Sequence, residues 1–127
     1  MTQPYAGIRV IEVGGTVSSA AATKTFSDFG ADVIKVEPID GGLARRLPPF
    51  PDDIPNLDRG AFHLALDTGK RSIALDLTTA SGREIVARLA DDAELLIQQQ
   101  APADADALLD RLSDQAPSTI TISPHGL

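Results

Sequence analysis

Cysteine is absent from this chain of 127 residues. That absence removes disulfides, thiolate zinc sites and a cysteine nucleophile together, and it fits a reducing cytoplasm. Tryptophan is also missing and aromatic residues make up only 4%. The core must therefore be built from Val, Ile, Leu and Ala, a composition suited to buried parallel strands with helices on both faces. Basic residues are outnumbered 11 to 18, giving a net charge of −7. Such a chain has no general attraction to nucleic acid or anionic lipid, so an anionic ligand would have to be held by a few local donors. Histidine occurs only at His63 and His125, so a multi-histidine metal site would need several carboxylates to complete it, and no metal site is expected. The opening Met1–Tyr5 has no basic stretch before an apolar core, and no run approaches the length of a membrane span. The expectation is a soluble, cytoplasmic protein with neither membrane nor nucleic acid as partner.

What is present is an alternation. Apolar, β-branched runs at Ile8–Val13, Val33–Glu37, Ser72–Leu77, Glu94–Gln98 and Thr119–Ser123 are separated by helix candidates at Ala20–Phe29, Ser81–Asp91 and Ala103–Asp114. This pattern predicts an α/β fold, a three-layer Rossmann-like domain with a mainly parallel five-stranded sheet and right-handed crossovers. In the 81–91 helix, Ile85, Val86 and Leu89 are expected on one face, with Arg83, Glu84 and Arg88 elsewhere. Asp104, Asp106, Asp110 and Asp114 read as the solvated face of the last helix.

The stretch from Gly7 to Glu37 carries the most information. A strand ends at Gly14-Gly15, a helix rich in small residues follows, Gly30 ends it, and a second strand closes on Glu37. In such a β-α-β unit the amides at the helix N-terminus form a site for phosphate or another anion. The turn is not the G-x-G-x-x-G dinucleotide fingerprint, because its glycines are adjacent and Thr16, Val17, Ser18 and Ser19 follow. Glu37 nevertheless stands where a ribose-binding acid would, which leaves NAD binding as a rival. A purely conformational role for the two glycines is a third alternative.

The other candidates are weaker. Between Pro38 and Asp58, Pro38, Pro48, Pro49, Pro51 and Pro55 exclude a helix, and Arg45-Arg46 is read as a solvated surface pair. Gly60–Leu66 reads as a short helix. His63 within it reads as an ordinary side chain without a partner acid at a convincing spacing. Gly69-Lys70-Arg71-Ser72 imitates the end of a Walker A loop but has Leu64 where the first glycine belongs and precedes a strand, not a helix. No nucleophile elbow surrounds Ser18 or Ser19.

Taken in order, several strings resemble the N-terminal portion of family III CoA-transferases, the CaiB/BaiF group. They are Ala6-Gly7-Ile8-Arg9-Val10-Ile11-Glu12, the ten residues Phe29–Pro38, then Gly69–Leu77, Ala80–Glu84, and Thr121-Ile122-Ser123-Pro124-His125-Gly126. The resemblance covers nearly the whole chain. It implies that residues 1–127 form the N-terminal Rossmann-like part of a family III large domain. It implies a coenzyme A thioester as substrate, no prosthetic group, and a homodimer in the parent protein. The parent would transfer CoA between carboxylic acids through an aspartyl-CoA thioester. Acyl-CoA racemases are related, and a degenerate module serving folding or dimerisation is the other alternative. The nucleophilic aspartate is expected downstream of Leu127, so the chain is expected to be an inactive N-terminal fragment with no catalytic residue of its own.

The resemblance places CoA contacts at Thr16, Val17 and Ser18 in the first turn. Others are expected in the string Leu66-Asp67-Thr68-Gly69-Lys70-Arg71, where the family reads L-N-x-G-K-R and Lys70 is a candidate phosphate or adenosine contact. Gln99 is a further candidate. Where the family reads E-N-F-R-P-G, this chain reads Gln98-Gln99-Gln100-Ala101-Pro102-Ala103. A stacking ring and a cation are replaced there, which is expected to weaken CoA binding.

Overall fold

The computed structural model describes residues 2–99 and 118–122; for 119–122 the backbone alone is described. Five strands run β1 (Arg9–Val13), β2 (Asp32–Glu37), β3 (Arg71–Ala74), β4 (Leu95–Gln99) and β5 (Thr119–Ile122). The helices are α1 (Val17–Asp28), α2 (Ala61–Asp67) and α3 (Ala80–Asp91). The sheet order is β3-β2-β1-β4-β5, and every neighbouring pair is parallel. The expected α/β fold is thus present. The expected helix Ala103–Asp114 and its acidic face lie outside the described residues, as do Gln100, Ala101 and the end of the Thr121–Gly126 string.

The two faces of the sheet are covered by different helices, which makes three layers. On one face Ile11, Val13, Ile34, Val36 and Leu96 pack with Val86, Ala90 and Ala93 at α3. On the other, Val10, Val33, Leu95 and Ile97 meet Ala22 and Phe26 of α1, together with Tyr5. Alternate residues along each strand divide between these layers, as a pleated strand requires. Tyr5 also packs on Phe26 and Phe29 at centroid distances of 5.2 and 6.0 Å, so a chain with few rings gathers three at one corner.

Three boundaries differ from expectation for local reasons. Helix α1 starts at Val17 rather than Ala20, because Thr16 and Ser19 cap it reciprocally. Strand β3 stops at Ala74 rather than Leu77. Its partner β2 ends at Glu37, whose carbonyl takes the Leu75 amide, and Pro38 follows without an amide of its own. In α3 the buried side is Gly82, Val86 and Ala90, with Leu89 half-buried, while Ile85 is exposed rather than on the expected apolar face. Between β2 and α2 the chain makes only two single-turn 3-10 helices, Leu43–Arg46 and Pro51–Asp53. Among the described residues no helix is long and apolar enough to cross a membrane.

Candidate functional site

In the order β3-β2-β1-β4-β5 the chain reverses direction across the sheet between β1 and β4. Open parallel sheets leave a crevice at the carboxyl end of such a switch point, where ligands bind. Two of the expected contacts meet there. The β1–α1 turn runs from Gly14 to Ser18. Gln99 ends β4 beside Gly14, so closely that a Cβ added to Gly14 would stand 3.0 Å from the Cβ of Gln99. Gly14 (φ +133°) and Gly15 (φ +67°) both adopt conformations that suit glycine.

The turn leads into a capped helix. The Thr16 hydroxyl accepts from the Ser19 amide at 3.4 Å, and the Ser19 hydroxyl accepts from the Thr16 amide at 3.2 Å. The amides of Val17 and Ser18 have no acceptor within the helix, as its geometry dictates. Ser18 is exposed and Val17 half-buried, and both stand in the first turn of the helix that follows the carboxyl end of β1. The first turn of α1 carries no acidic residue to compete with an anion. The side-chain oxygen of Gln99 is buried and, among the described residues, receives no hydrogen bond. A buried acceptor without a donor is costly, and a ligand N–H or O–H would satisfy it.

The remaining candidates lie elsewhere. Leu66 is half-buried on α2. Lys70 points into the fold, its side chain 1% exposed. Its ammonium has three donors, and acceptors inside the protein take all three: Glu12 Oε2 at 3.1 Å, the Ala20 carbonyl at 2.8 Å and Asp67 Oδ1 at 3.2 Å. Lys70, expected as a phosphate or adenosine contact, is thus a strut beneath α1.

Lys70 belongs to a buried network on the carboxyl half of the α1 face. Glu12, Glu37 and Asp67 oppose Lys35, Lys70 and Arg45, so the charges balance. Lys35 donates to Asp67 Oδ2 at 2.6 Å and stands 3.9 Å from Glu37. Glu12 accepts from the hydroxyls of Ser19 (3.1 Å) and Thr23 (2.6 Å). Burial alone would raise the carboxyl pKa of Asp67; bonds from Lys35 and His63, with the nearby charges of Lys35 and Lys70, outweigh it and hold the group below its ordinary value. Glu37 is likewise pushed up by burial but held low overall by Arg45, the Gly42 amide and the charge of Lys35.

Three sequence expectations are corrected here. His63 has a partner acid after all: its Nδ1 lies 2.8 Å from Asp67 Oδ2, one helical turn on. Arg45 is not a solvated surface residue. Its guanidinium grips Glu37 at 2.6 and 3.1 Å and also reaches Asp58. Glu37 is therefore fully engaged by Arg45, Gly42 and Ser72 and has no carboxylate edge left for a ribose. The pattern was visible in sequence. Glu12 on β1, and Lys35 and Glu37 on β2, are polar at alternate positions of otherwise apolar strands, which places them on one face. Among the described residues, no group of His, Asp and Glu side chains is placed to hold a metal ion.

Comparison with known proteins identifies the family. The profile of CoA-transferase family III matches residues 5–126. Succinate–glutarate CoA-transferase from Agrobacterium fabrum is 42% identical over 99 residues, which is 75% of this chain and 24% of that protein. Formyl-CoA:oxalate CoA-transferase from Escherichia coli is 36% identical over 107 residues, covering 84% and 25% respectively. The crystal structure of a CAIB/BAIF family protein from Brucella suis superimposes with a TM-score of 0.79 at 30% identity, over 97% of this chain and 33% of that one. The chain thus spans about a quarter of the length of the curated relatives it matches.

Proposed function

Because this chain belongs to CoA-transferase family III, we propose that it forms one wall of a coenzyme A site, at the switch point between β1 and β4. The parent enzyme would move CoA between carboxylic acids through an aspartyl-CoA thioester. No residue of this chain is assigned the nucleophile. The amides of Val17 and Ser18 would hold a CoA phosphate by charge-assisted bonds at the start of α1. Gln99 would accept a hydrogen bond from a CoA amide or hydroxyl. The observation that carries this reading is the buried side-chain oxygen of Gln99, which receives no hydrogen bond among the described residues, beside the first-turn amides of α1. Exposed apolar side chains at Ile39, Leu43, Ile54, Leu57, Phe62 and Leu64 support burial of that surface against further protein in a homodimeric parent.

A second reading has its own support. With Lys70 engaged inside the fold and Gln100 and Ala101 replacing the family's aromatic and arginine, a degenerate module serving folding or dimerisation also fits.

Calorimetric titration with CoA separates the two. Binding to this chain is expected near a millimolar Kd, about −4 kcal/mol. Val17→Pro removes one amide donor while keeping the helix, since proline suits the first helical position and Thr16 is already extended (φ −91°, ψ 167°). CoA binding should weaken several-fold in Val17→Pro and in Gln99→Leu, with little change in Tm. Binding indifferent to both variants would overturn the site; no binding even in the full-length parent would favour the degenerate module.

A further inference from the structure

We infer that the Glu37–Arg45 pair is a positioning device for the β1–α1 turn: it locks the segment after β2 against Gly15 and so sets the direction of the Val17 and Ser18 amides. The ligand in this inference rests on the CoA reading above; the lock rests on geometry alone.

Glu37 is the last residue of β2 and its side chain is 3% exposed. Its Oε2 accepts from Arg45 Nε at 2.6 Å and from the Gly42 amide at 3.1 Å. Its Oε1 accepts from Arg45 Nη2 at 3.1 Å and from the Ser72 hydroxyl at 3.1 Å. One carboxylate therefore ties both ends of the stretch 42–45 to the end of the strand. That stretch in turn holds the turn. Ala44, fully buried, donates its amide to the Gly15 carbonyl at 3.4 Å. Gly42 lies directly on Gly15: a Cβ on Gly15 would come within 3.1 Å of Gly42 Cα, and one on Gly42 within 3.1 Å of the Gly15 carbonyl.

Gly15 is the hinge whose φ of +67° aims the chain into the Thr16 cap. Rotation there would swing the amides at the start of α1. The buttress of 42–45 prevents it, and the fork of Arg45 keeps the buttress in place. A planar two-bonded fork fixes orientation in a way a lysine cannot. Arg45 is further steadied by Asp58 Oδ1 at 2.9 Å and the Leu57 carbonyl at 3.3 Å. Arg45 touches no ligand in this scheme and acts only through the turn.

The test uses amide hydrogen exchange and CoA titration on the whole chain. In Arg45→Met, exchange at the Gly42 and Ala44 amides should accelerate about tenfold or more, the size of one lost charge-assisted bond. The amides of β1 and β4 should keep their protection, and CoA affinity should fall about tenfold. Arg45→Lys should lie between Arg45→Met and the parent sequence. Gly42→Ala tests the same lock without disturbing charge: its φ of −72° suits alanine, but the new Cβ pushes on Gly15. It should weaken CoA binding while leaving the ion pair intact. Unchanged exchange at Gly42 and Ala44 in Arg45→Met overturns the lock. Acceleration spread evenly over the sheet also overturns it, by making the pair a general stabiliser. Faster exchange in Arg45→Met with CoA affinity unchanged overturns the coupling to the turn. If the parent sequence binds no CoA, the CoA reading fails while the exchange result still decides the lock.

Discussion

The two faces of the sheet solve the same packing problem by different chemistry. Under α3, Ile11, Val13, Ile34, Val36 and Leu96 meet Val86 and Ala90 in an apolar layer. Under α1 the amino half of the layer is apolar, whereas beside Ile97 its carboxyl half holds Glu12, Lys35, Glu37, Asp67, Lys70 and Arg45. Apolar burial is non-directional and scales with area, so the α3 face tolerates small shifts of its helix. Buried ions are favourable only when each has its partner in place. The charged half therefore dictates where α1, α2 and the segment after β2 must sit, and it lies directly beneath the turn that would hold CoA. Precision is concentrated beside the turn proposed above to hold the ligand.

Breaking one charge should cost more than trimming one methyl-bearing side chain. Lys35→Met leaves Asp67 and Glu37 facing each other with less compensation in a nearly dry interior, and a loss of about 3–5 kcal/mol is expected in urea unfolding. Adding Asp67→Leu to it should recover part of that loss, so the two changes should be clearly non-additive in a double-mutant cycle. On the other face, Val86→Ala removes two methyl groups from a fully buried site and should cost about 2 kcal/mol. A larger loss for Val86→Ala than for Lys35→Met would reverse the ranking of the faces.

Acid sharpens the contrast further. Glu37 and Asp67 both have folded-state pKa values below the ordinary ones. Their contribution to stability is fully present above the unfolded values, and it is lost as pH falls through the lower folded values. The urea midpoint should therefore decline progressively below about pH 4. Asp67→Asn should be less stable at neutral pH, because Lys35 and Lys70 each lose a counter-charge, but its decline in acid should be shallower. An identical acid profile for the two proteins would remove Asp67 from the network's energetics.

Much of the architecture was legible before any coordinates. Ile8–Val13 and Val33–Glu37 are runs whose type and length admit little but strands, and Phe29–Pro38 together with Gly69–Leu77 pointed to the family the comparisons support. The capping of α1 by Thr16 and Ser19 was equally local but was missed, because the hydroxyl pair replaces the more familiar Ser/Thr with Glu. His63 and Asp67 stand four residues apart, a helical spacing that is itself a local signal for their contact.

What the chain determined by itself was the order and kind of its elements, because strand and helix periodicities are properties of neighbouring residues. Only the tertiary structure decided the fates of Lys70, Arg45 and Glu37. Lys70 meets Glu12 from 58 positions away, and Lys35 meets Asp67 from 32. Whether a charged side chain ends in water, on a ligand or in a buried pair depends on which partner the crossovers bring within about 3 Å of it, and local sequence carries no record of that meeting.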